Sequence, residues 1–184
     1  YKRQIQEIRR LRPECIVEVL VPDFQGREES IRFVLDAGPE IFAHNIETVP
    51  RLYRVARGGG KYNISLHVLQ RARELVPDGI TKTGIMLGLG EEADELRQVM
   101  GDLVERGVNI LTLGQYLRPT RWHLPVARHY HPDEFVYWAE VGESMGFDHV
   151  ESGPLVRSSY LADRQFKSLE RKTRPQPESL VQIR

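Results

Sequence analysis

Cysteine is almost missing from this sequence. Among 184 residues only Cys15 carries a thiol, so no disulfide can form within the chain and a thiolate metal cage cannot be completed from it. Net charge is missing too. Twenty-six basic side chains offset twenty-six acidic ones, which removes the electrostatic reason to expect nucleic acid or an anionic membrane as the main partner. No apolar run approaches the roughly 18 residues of a membrane span. The first eleven residues are basic and helix-like, without the apolar core of a signal peptide. Together these absences predict a soluble, cytoplasmic protein with neither nucleic acid nor membrane as partner. What is present, 40% hydrophobic residues, suffices for one core.

The chain opens inside a helical pattern over Lys2 to Leu11, with no cap before it. Cys15 then begins an apolar, β-branched run through Val21 that Pro22-Asp23 stops, which reads as a buried strand with a small buried thiol. Helical spacing of Ile31, Val34 and Leu35 ends at Gly38-Pro39, and a second short strand covers Ile41 to Asn45. Thr48 is placed to cap a helix with Pro50 in its first turn, broken by Gly58-Gly59-Gly60. The stripe Ile64, Val68, Leu69, Ala72, Leu75 predicts another helix, then Ile80 to Leu87 a third strand. Leu96, Val99, Met100 and Leu103 mark a helix whose start carries Glu91 and Glu92 at the favourable end of its dipole. A fourth strand over Val108 to Leu113, a long loop, a helix begun by Pro132-Asp133-Glu134, and an extended His149-Val150-Glu151 complete the pattern.

Strands alternating with helices predict βα units around a parallel sheet, an α/β partial TIM-type barrel over residues 1–163. The polar segment 164–184, with Pro175 and Pro177, reads as a disordered tail. Sites in barrels gather where strands end. That directs attention to Asp23 to Gly26, His44 to Glu47, Gly88 to Glu91, Gly114 to Tyr116, and Gly153 to Tyr160.

Each stretch has a chemical and a plain reading. Asn45 and Glu47, two apart on extended backbone, face one side and suit the paired hydroxyls of a ribose; alternatively they cap the next helix. Gly84, Gly88 and Gly90 leave room for a flat ligand against backbone, although Gly-x-Gly-x-x-Gly spacing is absent. Lys82 suits a carboxylate or a Schiff base, or is simply solvated. His123, His129 and His131 lack the spacing of a common zinc site. Arg118 and Arg121 suit an acidic or peptide partner, or make a polar loop. Arg157-Ser158-Ser159-Tyr160 after Gly153-Pro154 can bind an anion, cap a helix or present an oxygen ligand.

Taken together, Val21 to Gly26, His44 to Val49, Thr83 to Glu91, Leu113 to Thr120, His123 to Val126 and Gly153 to Tyr160 resemble lipoyl synthases of the radical S-adenosylmethionine superfamily. The resemblance implies the C-terminal part of a radical SAM barrel. It implies insertion of two sulfur atoms into a protein-bound octanoyl chain, on an octanoylated lipoyl domain or H-protein, with an electron donor. Two [4Fe-4S] clusters and S-adenosylmethionine are the implied cofactors, and a eukaryotic source would imply mitochondria. Asn45 and Glu47 are then expected at the ribose, and the strand ending in Gly88 and Glu91 on the adenine side. Gln115 joins the cofactor contacts, with Ser65 and Lys82 as weaker candidates for the methionine carboxylate. One serine of the closing loop, Ser159 ahead of Ser158, is the expected oxygen ligand of the auxiliary cluster, with Arg157 beside it. A serine oxygen, hard against a thiolate-preferring iron, should leave readily. The family's cysteine motifs are not in this sequence and are expected before Tyr1, so the chain alone is expected to be inactive. The glycine triplet at 58–60 is also looser than the family's usual segment. A biotin-synthase-like sulfur inserter and a non-catalytic βα scaffold are the alternatives.

Overall fold

The longest strand sits in the middle of the sheet, because it is the segment that can be buried on both faces. In the computed structural model, which describes residues 1–159, that strand is β3, Ile80–Leu87, and six of its eight residues are buried. The others are β1 (Glu18–Leu20), β2 (Ile41–Ala43), β4 (Ile110–Gln115) and β5 (His149–Gly153). All pair in parallel, in the order β1-β2-β3-β4-β5. Each strand therefore lies beside its predecessor after a crossover, the topology of an opened α/β barrel. Tyr160 and the expected 164–184 tail lie outside the described residues.

The crossovers are α2 (Glu28–Leu35), the short α3 (Tyr53–Ala56) with α4 (Tyr62–Leu75), α5 (Ala93–Val104) and α6 (Pro132–Met145), preceded by α1 (Lys2–Leu11). Local sequence sets their starts. Glu92 and Glu95 form a reciprocal capping box on α5, and His131 and Glu134 do the same on α6, where Pro132 supplies the first-turn proline. Leu96, Val99, Met100 and Leu103 on α5 are fully buried against Leu111 and Leu113 of β4. Each such side chain contributes on the order of 2 kcal/mol from burial, and Leu103→Ala would cost about 2–5 kcal/mol. A second cluster joins Ile5 of α1, Val19, Ile31, Val34, Phe42 and Val68 around the β1 end of the sheet.

Side-chain alternation decides what remains for the other face. With Ile85, Leu87, Leu111, Leu113 and Val150 in the helical core, the opposite face receives Glu18, Lys82, Gly84, Thr112, Gly114 and Glu151. That face is polar and glycine-rich at the C-terminal ends of the strands. Two local expectations fail. Thr48 caps nothing: Val49 occupies the cap of the turn Pro50–Leu52, and the buried Thr48 hydroxyl has no hydrogen-bond partner among the described residues. Cys15 precedes β1 and is half-buried rather than enclosed.

Candidate functional site

Two missing side chains shape the floor of a cleft where β2, β3 and β4 end. A β-carbon at Gly84 would come within 2.8 Å of Thr112 Oγ1 and 3.1 Å of Asn45 Oδ1. At Gly114 it would collide with the Val156 carbonyl. The cleft, about 590 Å³ including its open mouth, is walled by Asn45, Glu47, Met86, Gln115, Leu117, Arg157 and Ser158.

Asn45 and Glu47 reach this cleft through an unusual turn. Glu47 has φ +71°, a left-handed conformation that costs a non-glycine residue about 1–2 kcal/mol. Two backbone bonds hold it: Glu47 N–H donates to the Gly84 carbonyl and Met86 N–H to the Glu47 carbonyl, each at 2.9 Å. Burial pushes the Glu47 carboxyl above its ordinary range, opposed by the Asn45 amide and the Arg57 guanidinium. Between them, Ile46 N–H donates to Thr83 Oγ1 at 3.1 Å, and Tyr53 O–H donates to the Ile46 carbonyl at 2.7 Å. The turn thus presents an amide and a partly desolvated carboxylate over a glycine floor, an arrangement suited to hydroxyl donors.

Beneath the turn lies a buried polar group. His44 Nδ1 bonds the Val21 carbonyl at 2.8 Å, and its Nε2 meets Ser65 Oγ at 3.0 Å. Desolvation lowers the His44 pKa, with the Arg57 charge adding to it, so His44 is neutral; the network assigns Nδ1 as the protonated nitrogen. Ser65, fully buried, accepts from Arg57 at 2.7 Å. It stands beneath the turn and is absent from the cleft wall.

Other residues expected at the cofactor bond within the fold. Lys82 is neither solvated nor in the cleft; 1% exposed, it pairs with Glu18 of β1 at 2.9 Å on the concave face, below the strand ends. Gly88, at φ +100°, makes room for the Arg128 carbonyl and the Gln115 amide. Glu91 accepts from the Gly88 and Leu89 N–H groups at 2.6 and 2.9 Å and from Tyr130 O–H at 2.7 Å. Gln115 donates to the Arg128 carbonyl at 3.1 Å and accepts from Tyr130 N–H at 3.0 Å. Glu91 and Gln115 therefore pin the long loop, and Gln115 also faces the cleft. His123 bonds Thr120 Oγ1 at 2.9 Å while His131 caps α6.

In the closing loop Val156 is buried, Arg157 donates to the Val156 carbonyl at 2.8 Å, and Ser158 lines the cleft while Ser159 is exposed. Tyr160, expected beside them, lies outside the described residues.

Comparison with known proteins gives this geometry a family. The model of the radical SAM superfamily matches residues 1–103, from α1 to α5. The chain belongs to the radical SAM superfamily. Curated radical SAM relatives named lipoyl synthase are 55% identical over 168 residues in Koribacter versatilis, 56% over 167 in Rubrobacter xylanophilus and 49% over 168 in Oceanobacillus iheyensis. Each alignment takes in 91% of this chain and 55%, 52% and 54% of the relative, so the chain spans about half the length of the curated relatives it matches. The resemblance to lipoyl synthases is borne out, and the biotin-synthase-like alternative is not favoured. A solved radical S-adenosylmethionine methyltransferase, TsrM from Kitasatospora setae with cobalamin and a [4Fe-4S] cluster bound, aligns with TM-score 0.48 and 18% identity over 90% of this chain and 34% of its own.

The residues present fit one of the cofactors this superfamily is named for. The Asn45 amide and Glu47 carboxylate, above a floor that β-carbons at Gly84 and Gly114 would fill, have the chemistry to accept the hydroxyls of an adenosyl ribose. An iron–sulfur cluster does not fit the described residues by themselves: they hold one thiol, Cys15, ahead of β1, and no group of three metal-ligating side chains. No helix among them is long and apolar enough to cross a membrane.

Proposed function

We propose that this chain is the portion of a lipoyl synthase that holds the S-adenosylmethionine ribose and closes over the reacting end of the cleft. One observation carries the reading: Asn45 and Glu47 on one wall and Arg157 and Ser158 on another share a single glycine-floored cleft. S-adenosylmethionine, when bound, supplies a 5′-deoxyadenosyl radical. The protein's part is orientation. Asn45 and the ionised Glu47 accept and direct the two ribose hydroxyls, Met86 and Leu117 shield one side from water, and Arg157 supplies a positive charge opposite them.

At the far wall Ser158 is favoured over Ser159 as the oxygen that meets an auxiliary cluster carried by the rest of the protein, since Ser158 already lines the cleft. Two [4Fe-4S] clusters, an octanoylated lipoyl domain or H-protein, an electron donor and a cytoplasmic or mitochondrial site belong to the same proposal. Of the earlier cofactor candidates, Asn45, Glu47 and Gln115 are retained at the nucleoside. Ser65, Lys82, Gly88 and Glu91 are assigned to support.

Calorimetric titration of the complete enzyme with S-adenosylhomocysteine tests the ribose assignment. Asn45→Ala and Glu47→Gln should each weaken binding about tenfold, the worth of roughly one hydrogen bond. Unchanged affinity in both variants would move the nucleoside elsewhere. For the closing loop, Ser158→Ala should abolish lipoyl formation while reductive cleavage of S-adenosylmethionine continues.

A further inference from the structure

The Arg57 guanidinium is half-buried, and among the described residues its partners are neutral. It donates to the Asn45 backbone carbonyl at 3.0 Å, to Ser65 Oγ at 2.7 Å and to Tyr53 Oη at 3.2 Å, and its second nitrogen stands 3.4 Å from His44 Nε2. Its hydrogen-bond partners carry no charge, and the carboxylate its field reaches is Glu47, whose ionised form it favours. The surroundings are built to keep it there. The charge lies 5.7 Å from the centre of the Tyr53 ring. Gly60 passes so close that a β-carbon would come within 2.9 Å of two carbons of the Arg57 side chain. Gly60, the last of the triplet, is what lets the chain close over this stem. Ser65, which must accept from Arg57, is left to donate to neutral His44, and that ring is fixed in turn by the Val21 carbonyl.

We infer that Arg57 is a positioning residue for the ribose turn: its Nη1 ties the Asn45 carbonyl to Ser65 and Tyr53, and so sets where the Asn45 amide and Glu47 carboxylate stand. Tyr53, Gly60 and Ser65 all meet the Arg57 side chain, which alone reaches the Asn45 carbonyl at the strand end. A lysine does not reproduce this, because its ammonium lacks the flat guanidinium that lies by the Tyr53 ring and the second nitrogen that stands near His44 Nε2. The inference rests on the ribose reading of Asn45 and Glu47, and its test separates the two.

The test titrates the complete enzyme with two probes, neutral adenosine and S-adenosylhomocysteine, which carries an additional carboxylate. Arg57→Lys and Arg57→Gln should weaken both probes by the same factor, about tenfold. In an Asn45→Ala background the same changes should cost clearly less, because the group being positioned is gone. A loss confined to S-adenosylhomocysteine would overturn the inference in favour of direct carboxylate binding. Full additivity with Asn45→Ala, or unchanged affinity, would also overturn it. Failure of Asn45→Ala and Glu47→Gln themselves to weaken adenosine would instead refute the ribose reading. Should the Arg57 variants not fold, Tyr53→Phe and Gly60→Ala, each disturbing one support of the guanidinium, carry the same expectation of an equal loss for both probes and the same refutations.

Discussion

Gly114 lies directly beneath the Val156 carbonyl, and a β-carbon there would also come within 3.5 Å of an Arg157 nitrogen. The end of β4 therefore seats the closing loop by having no side chain. Gly114→Ala should displace Val156 to Ser158 from the cleft, at an overpacking cost of about 1–3 kcal/mol. Lipoyl formation by the complete enzyme should fall while adenosine affinity stays near normal. Equal loss of both would show that loop and ribose turn are one unit.

Glu47 should separate stability from binding. Glycine relieves the left-handed backbone, so Glu47→Gly is expected to keep stability within about 1 kcal/mol of the parent although it removes a half-buried side chain. Adenosine binding should nevertheless disappear. Denaturant unfolding read beside calorimetry checks both, and a large drop in stability would mean the carboxylate holds the turn itself.

The same carboxylate predicts a pH signature. Its folded pKa lies above the ordinary 4.5 because burial disfavours the charge. Its stabilising contribution is complete below 4.5 and is lost as pH rises through the raised folded value. Relative to Glu47→Gln, the parent should thus lose stability across that window and then level off. Adenosine affinity should run the other way, rising as Glu47 ionises and becomes a full acceptor. Parallel pH series of unfolding and titration, on parent and Glu47→Gln, would expose the opposite slopes; identical pH profiles for the two proteins would remove Glu47 from both effects.

Lys82 and Glu18 should behave as scaffold. Glu18→Leu leaves a fully buried ammonium unpaired and is expected to cost about 3–5 kcal/mol. Adding Lys82→Met should restore most of that. Adenosine and S-adenosylhomocysteine affinities should be normal in the double variant, and a selective loss of the latter would return Lys82 to the cofactor.

Glu91 offers a second structural check. Glu91→Ala strands the Gly88 and Leu89 N–H groups and the Tyr130 hydroxyl, a loss of about 2–4 kcal/mol. Melting should drop by roughly 4–16 °C for a chain of this size. Glu91→Gln, which keeps one acceptor, should fall between the two.

The strand ends were readable as places because alternating apolar runs and helical stripes are local signals. Ile80 to Leu87 emerged with the bounds the pattern implies, and Pro132 with Glu134 marked the start of α6. Lys82 shows the limit of such reading. It stands between Thr81 and Thr83 on a strand, and only the lateral register places Glu18, 64 positions earlier, within 2.9 Å. Thr48 has a capping residue type, yet Val49 takes that position and its hydroxyl is buried. Gly88 and Gly114 look alike in sequence; one accommodates the long loop, the other the closing loop. Arg57 gave no signal at all, since an arginine near a helix end is usually solvated, and its role arises from the Asn45 carbonyl and the Ser65 hydroxyl, brought in from two other segments, and the Tyr53 hydroxyl one helical turn before it.

Sequence by itself determined the alternation of strands and helices, the parallel sheet, the likeness to radical SAM enzymes and the identity of the strand-end motifs, because each depends on residues close together in the chain. Tertiary structure decided which of those motifs share one cleft, Asn45 and Glu47 with Ser158 but without Lys82 or Ser65. It also decided which buried charge stands behind them. Those outcomes depend on register across the sheet and on contacts a few ångströms wide between distant residues, and no local pattern encodes either.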